Sequence, residues 1–148
     1  MFRGNLERTE KMRKRTYRAL ETDSLTTKCS LLIVEDEEEL RDFLGILIQK
    51  NFPTLKIEFA KDGLEGIKKA ETLKPNIVWT SIKMPHIDGF ALIELIRRNP
   101  DLKNTKIIVC TYYGSEDMKN RAFELGADRY LIKPIAHKEI LSAVGSCI

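Results

Sequence analysis

From Ser30 onward the chain alternates between short apolar runs and longer amphipathic stretches. Leu31-Leu32-Ile33-Val34 is continuously apolar and then breaks into Glu35-Asp36-Glu37-Glu38-Glu39. A run of this length without polar interruption reads as a strand buried on both faces. Leu40, Phe43, Leu44, Leu47 and Ile48 follow at helical spacing, and the acidic first turn suits the positive end of the helix dipole. Phe52-Pro53 ends that helix. Leu55-Lys56-Ile57-Glu58-Phe59 alternates, as an edge strand with one wetter side does. Asp62-Gly63 opens a second helix carrying Leu64, Ile67, Ala70 and Leu73. Ile77-Val78-Trp79 is a third buried strand, passing through Thr80 and Ser81 into a Lys83-Met84-Pro85 loop. Asp88-Gly89 starts a third helix with Phe90, Ile93 and Ile96 inward, stopped at Asn99-Pro100. Thr105 to Thr111 is the fourth strand, and Ser115 caps a helix through Met118, Ala122 and Leu125 that ends at Gly126. Asp128 to Ile132 is a short fifth strand, and the last helix carries Ile140, Leu141, Val144 and Ile148.

Five strands alternating with five helices predict an α/β domain of parallel βαβ units, with helices on both faces of the sheet. Residues 29–148 make up this domain. Residues 1–28 have a different composition: eight Lys/Arg against four acids, a balance of +4, whereas the remainder holds 17 against 18, or −1. The net charge of +3 therefore belongs to a basic N-terminal extension and linker, read as helical or disordered, with Arg13-Lys14-Arg15 as its densest cluster. No apolar run approaches the ~20 residues of a membrane span, and the first residues contain no apolar signal core. The expectation is a cytoplasmic protein with no transmembrane segment. The three cysteines, Cys29, Cys110 and Cys147, lack metal or redox spacing, and Cys110 reads as a small core residue. No strand–helix junction carries a Gly-rich dinucleotide or nucleotide-triphosphate loop.

A parallel sheet ends all its strands on one edge, where ligands and chemistry collect. Glu35 and Asp36, Ser81, Thr111 and Lys133 all fall at strand ends. Two acids, two hydroxyls and an ammonium suit a divalent cation and phosphoryl oxygens. Ser81 and His86 also invite a hydrolase triad, but no G-x-S-x-G elbow surrounds Ser81 and His86 lies beyond Pro85 on a loop. Glu37, Glu38 and Glu39 read as solvated, Trp79 as core, Tyr113 as packing and His137 as surface.

Four pieces together resemble the receiver domain of two-component response regulators, the chemotaxis-regulator type included. They are Leu32-Ile33-Val34-Glu35-Asp36, the Ile82-Lys83-Met84-Pro85 loop with Asp88-Gly89 two residues on, the strand ending at Thr111, and Tyr130-Leu131-Ile132-Lys133-Pro134. The resemblance spans Leu31 to Ile148. It implies a flavodoxin-like (βα)5 three-layer sandwich with strand order 2-1-3-4-5. It also implies that Glu35 and Asp36 are an acidic pair for Mg²⁺ and that Lys83 adds a backbone carbonyl to the metal. Thr111 then stands as the switch hydroxyl and Tyr130 as the aromatic that turns inward on activation. Lys133, before Pro134 across a cis bond, stands as the phosphoryl-contacting lysine. In that family the residue before Ile82 is the phosphoacceptor Asp; here it is Ser81.

A serine hydroxyl is neutral, a weak nucleophile without a base and a poor ligand for Mg²⁺. The expectation is therefore a non-enzymatic pseudo-receiver, with Mg²⁺ bound weakly or not at all and no acyl-phosphate. Tyr112, following Thr111, is expected to cover the pocket. Signalling would then run through protein contacts: a sensor histidine kinase or another signalling protein on the face from Ser115 to Ile148, with a homodimer as a further option. The expectation is that no effector domain follows Ile148, which leaves protein contacts as the output of this chain. Two alternatives accompany this reading. One is an ordinary Asp-phosphorylated receiver carrying an engineered Asp-to-Ser change at Ser81. The other is a nucleic-acid or membrane-surface binder acting through the basic arm, with nucleic acid the less favoured partner.

Overall fold

The computed structural model describes residues 29–148. The expectations for the basic extension concern residues 1–28 and lie outside the described residues. Within the domain, β1 (Ser30–Val34), α1 (Glu38–Asn51), β2 (Lys56–Ala60), α2 (Gly63–Leu73), β3 (Ile77–Thr80), α3 (Gly89–Arg98), β4 (Lys106–Thr111), α4 (Glu116–Leu125), β5 (Arg129–Ile132) and α5 (His137–Gly145) follow in order. The five strands pair in parallel in the order β2-β1-β3-β4-β5. This is the flavodoxin-like order, with β2 and β5 as the two edges.

Successive strand side chains point to opposite faces, so an apolar run without gaps feeds two cores. Leu31 and Ile33 join Ile77, Trp79, Ile108 and Cys110 beneath α1 and α5, where Leu44, Ile48, Ile140 and Val144 meet them. Leu32 and Val34 join Val78, Ile107 and Val109 on the other face, with Ile67, Phe90, Ile93 and Ile96 from α2 and α3. Trp79 is fully buried, as expected of a core residue.

Three helices begin with side-chain caps. Asp62 accepts from the Glu65 amide at 2.8 Å, Asp88 from Ala91 at 2.8 Å and Ser115 from Met118 at 3.2 Å. Each satisfies a first-turn N–H that the helix itself cannot pair. Gly126, at φ 119°, ends α4 in the left-handed conformation.

Some details depart from the periodicity. Leu64 and Leu73, assigned to the inner stripe of α2, are 40% and 36% exposed. The buried stripe of α2 is Gly63, Gly66, Ile67 and Ala70. A Cβ on Gly66 would lie 3.0 Å from Val34 Cγ1, so the helix approaches the sheet through its glycines and displaces the leucines to its flanks. Phe43, at 39% exposure, stacks beside His137 of α5 with ring centroids 5.1 Å apart. The last helix stops at Gly145, which leaves Ile148 beyond it and exposed. A 3₁₀ turn at Pro100–Leu102, absent from the periodic reading, buries Leu102.

The loop from Ser81 to Asp88 is closed by the Gly89 amide, which donates to the Ile82 carbonyl at 2.6 Å. A Cβ at Gly89 would collide with the Ser81 carbonyl oxygen and crowd Ile82 Cα. Both obstacles are backbone and have little room to yield. Gly89→Ala is expected to destabilise the domain by about 1–3 kcal/mol or more, read as a lowered urea midpoint. An unchanged midpoint would show that the loop is not held against α3.

Candidate functional site

Four strand ends meet in a cleft of about 470 Å³ on the C-terminal edge of the sheet. Asp36 and Glu37, Ser81 with Lys83 to Pro85, Thr111 to Tyr113, and Lys133 line it.

Glu35 lies directly beneath the cleft, fully buried at the end of β1. One carboxylate oxygen accepts from Lys133 Nζ at 2.8 Å, and the other accepts from the Glu37 amide at 3.1 Å. The Glu35 backbone is held as well: its amide donates to the Ala60 carbonyl, and its carbonyl accepts from Arg41. Burial pushes the Glu35 carboxyl above its ordinary value, against the opposing pull of Lys133 and the Glu37 amide. Burial alone would lower the Lys133 ammonium; the hydrogen bond and charge of Glu35 outweigh it and raise the lysine. The Cys110 thiol is pushed up to about 12 by burial and stays an inert core group.

Ser81 follows β3 and is 3% exposed. Its amide donates to the Val34 carbonyl at 3.2 Å, so the backbone of β1 fixes its position. Its hydroxyl has no hydrogen-bond partner among the described residues. The Thr111 hydroxyl oxygen accepts from the Tyr113 amide at 3.3 Å, and the Thr111 carbonyl accepts from the Lys133 amide at 2.7 Å. The Lys133–Pro134 bond is cis. The Lys133 ammonium also stands 4.9 Å from the centre of the Tyr112 ring, within cation–π range.

The predicted site residues are thus largely brought together, with some differences in detail. Asp36, Ser81, Lys83, Thr111 and Lys133 share the cleft, while Glu35 sits under it and is engaged by Lys133. Tyr112 lines the mouth but is 61% exposed, so it flanks the cleft without sealing it. Tyr130 stands outside: its hydroxyl donates to the Tyr113 carbonyl at 2.6 Å, and its ring lies 6.4 Å from that of Phe123. His86 is exposed on the loop at φ 70° and does not line the cleft, so the hydrolase arrangement is not assembled. Glu37, expected to be merely solvated, has a carboxylate oxygen 4.0 Å from Lys133 Nζ and belongs to the site. Its only advance signal was its place two residues after Glu35, inside the turn that leaves the strand.

Mg²⁺ takes anionic oxygens in a near-octahedral shell. Both oxygens of Glu35 already accept hydrogen bonds, and Ser81 places a neutral hydroxyl where a third carboxylate would stand. Asp36 and Glu37 are the acids that line the cleft, and Glu37 already faces the Lys133 ammonium at 4.0 Å, a donor set that does not fit a tightly held Mg²⁺. Among the described residues no group of three or more acids, histidines or cysteines is placed to hold a metal.

Residues 31–145 match the response regulator receiver domain. The chain belongs to that family. It is 32% identical to the chemotaxis protein CheY of Listeria monocytogenes over 115 residues, 77% of this chain and 93% of that one. It is 28% identical over 114 residues to the DNA-binding dual master transcriptional regulator RpaA of Synechocystis, covering 77% of this chain and 46% of the regulator. It is 27% identical to hybrid signal transduction histidine kinase D of Dictyostelium discoideum, covering 82% of this chain but only 8% of the kinase. The chain therefore spans less than half the length of these last two relatives. Among solved structures, the receiver domain of a DNA-binding response regulator from Colwellia psychrerythraea is 28% identical. It covers 79% of this chain and 95% of its own, with a TM-score of 0.75. A response regulator from Chloroflexus aurantiacus is 27% identical, covering 80% and 95%, with a TM-score of 0.74. This receiver domain is thus part of two-component signalling. Among the described residues no helix is long and apolar enough to cross a membrane.

The buried pair allows a direct test. Lys133→Ala strands the Glu35 carboxylate and is expected to cost about 3–5 kcal/mol, whereas the paired change Glu35→Gln with Lys133→Met should cost clearly less. Equal losses in chemical denaturation would mean that the pair is not what holds these groups in place. The Glu35 titration supplies a second test. Because its folded-state carboxyl lies above the ordinary 4.5, the folded protein holds that proton more tightly than the unfolded chain. The resulting stability is complete below pH 4.5 and is lost as pH rises through the folded value. Thermal melts should show the wild type losing stability relative to Glu35→Gln as pH rises from 4.5, and the opposite slope would contradict the assignment.

Proposed function

We propose that this receiver domain is a pseudo-receiver, which signals by binding proteins and not by forming an acyl-phosphate. The carrying observation is Ser81, a neutral hydroxyl held by β1 at the end of β3, inside a cleft whose lysine is already paired with Glu35. A carboxylate at this position would be ionised at neutral pH and ready to attack a phosphoryl donor. A serine needs a base to take its proton. Asp36 and Glu37 also line the cleft, but the Ser81 hydroxyl has no hydrogen-bond partner among the described residues, so no base is engaged with it. Mg²⁺ binds weakly, through Asp36 and the Lys83 carbonyl.

The partner is a sensor histidine kinase or another signalling protein, met on the face from Ser115 to Ile148. Phe123, Ile132 and Ile148 are 40%, 45% and 56% exposed on that stretch, and Ile132 lies against Gly114 beside the Tyr112–Tyr113 loop. Thr111 and Tyr130 act as the connection between cleft and face: Tyr113 takes one hydrogen bond from Tyr130 at its carbonyl and gives one to Thr111 from its amide. The relatives include a chemotaxis protein, a transcriptional regulator and a hybrid kinase, which agrees with a module used in many signalling settings.

The test is a phosphodonor and Mg²⁺ titration of the wild type beside Ser81→Asp. We expect no adduct with acetyl phosphate or beryllofluoride for the wild type and a metal-dependent one for Ser81→Asp. A stoichiometric wild-type adduct would overturn the reading. Failure of both proteins would place the loss of function in the Glu35–Lys133 pair and Tyr112 as well as in Ser81.

A further inference from the structure

We propose that the outer face of α1 is a self-complementary interface through which two copies of this chain pair about a two-fold axis at Ile46. Ile46 is 71% exposed, more than any other large hydrophobic side chain among the described residues. A single exposed isoleucine is ordinary, but this one has company. It borders an open groove shared with Asp42, Gln49, Lys50 and the half-buried ring of Phe59 from β2. Phe43, one turn back on the same helix, adds a ring that is 39% exposed.

The charges around this patch argue for a second copy as its occupant. Asp42, Ile46 and Lys50 are four residues apart and form one exposed ridge along α1. The acid is one turn before the isoleucine, and the base is one turn after it. A two-fold axis through Ile46 sets the ridge of one copy antiparallel to that of its partner. Each Asp42 then faces a Lys50, and the two isoleucines meet at the centre. Such ridges pack most commonly by interdigitating at a crossing of about −50°, so each Ile46 sits beside its counterpart in the partner's groove by Phe59. A two-fold contact uses the same patch on both copies, so a patch must complement itself, and this ridge does. The antiparallel setting also opposes the two helix dipoles.

The interface is small and its ion pairs are solvent-facing, so the dimer is weak. It lies on the β2 side of the sheet, while β5 forms the other edge. Pairing there reaches the Ser115–Ile148 face only at the start of α5, where His137 packs on Phe43, and leaves the β5 side of that face open on both copies, giving a two-headed module whose grip on a repetitive partner exceeds that of a single domain. The proposal does not depend on the chemistry at Ser81.

Sedimentation of the whole chain over a concentration series reaching ~1 mM tests it. We expect a monomer–dimer equilibrium that Ile46→Glu weakens by at least ~10-fold. Asp42→Lys and Lys50→Asp should each weaken it about 5-fold, because each creates two like-charged contacts. The double change Asp42→Lys with Lys50→Asp should restore it. These positions are exposed, and circular dichroism melts confirm that the variants remain folded. A monomer at every concentration overturns the proposal. So does a dimer that survives Ile46→Glu and is lost in Ile132→Glu, which would place the contact on the other face.

Discussion

In a parallel sheet every strand must leave at the same edge, and each returns through a helix. That constraint brings residues 35, 81, 111 and 133 to one place although 98 positions separate the outermost two. It also puts polar groups under a hydrophobic double layer, where an unpaired charge is costly. The Glu35–Lys133 pair is the local answer. It joins the end of β1 to the end of β5, on either side of β3 and β4, and it neutralises two charges that the fold cannot leave alone.

The pair also shapes the chemistry of the cleft. A lysine that met a carboxylate at position 81 would divide its interaction between two acids. With Ser81 there, Lys133 is paired with Glu35 and stands 4.9 Å from the centre of the Tyr112 ring. Glu37 adds a partial third contact. The lysine is therefore balanced by the protein's own groups.

The two faces of the sheet are buried by different means. Beneath α1 and α5 the fill is large side chains, Trp79 among them, with Leu44 and Ile48 opposite. Beneath α2 the helix comes close enough for glycine to be the buried residue. A further brace lies at the opposite edge of the sheet. The Arg97 guanidinium at the end of α3 donates to the Gly126 and Thr105 carbonyls and to the Asp128 carboxylate. Asp128 in turn accepts from the Ile107 amide at 2.8 Å. This network ties α3 to both β4 and the start of β5, and it leaves the site edge to its own contacts.

Local and periodic features were legible in the chain. Uninterrupted apolar runs mean strands buried on both sides, and Asp-Gly and Ser starts mean capped helices. The strand-end positions of Glu35, Ser81, Thr111 and Lys133 follow from those elements, because strand direction and crossover hand leave few choices. Other features depended on three-dimensional approach. Hydropathy counts Leu64 and Leu73 as core and ignores Gly66, since it does not register how near a helix can come to a sheet. It reads Glu37 as solvent-facing, because an exposed helix start and the rim of a cleft have the same composition. The Arg97 brace, the hydrogen bond from Tyr130 to Tyr113 and the pairing of Glu35 with Lys133 were likewise settled only by folding. Each is a contact between side chains distant in sequence, and periodicity specifies the face a side chain occupies but not the partner it meets there.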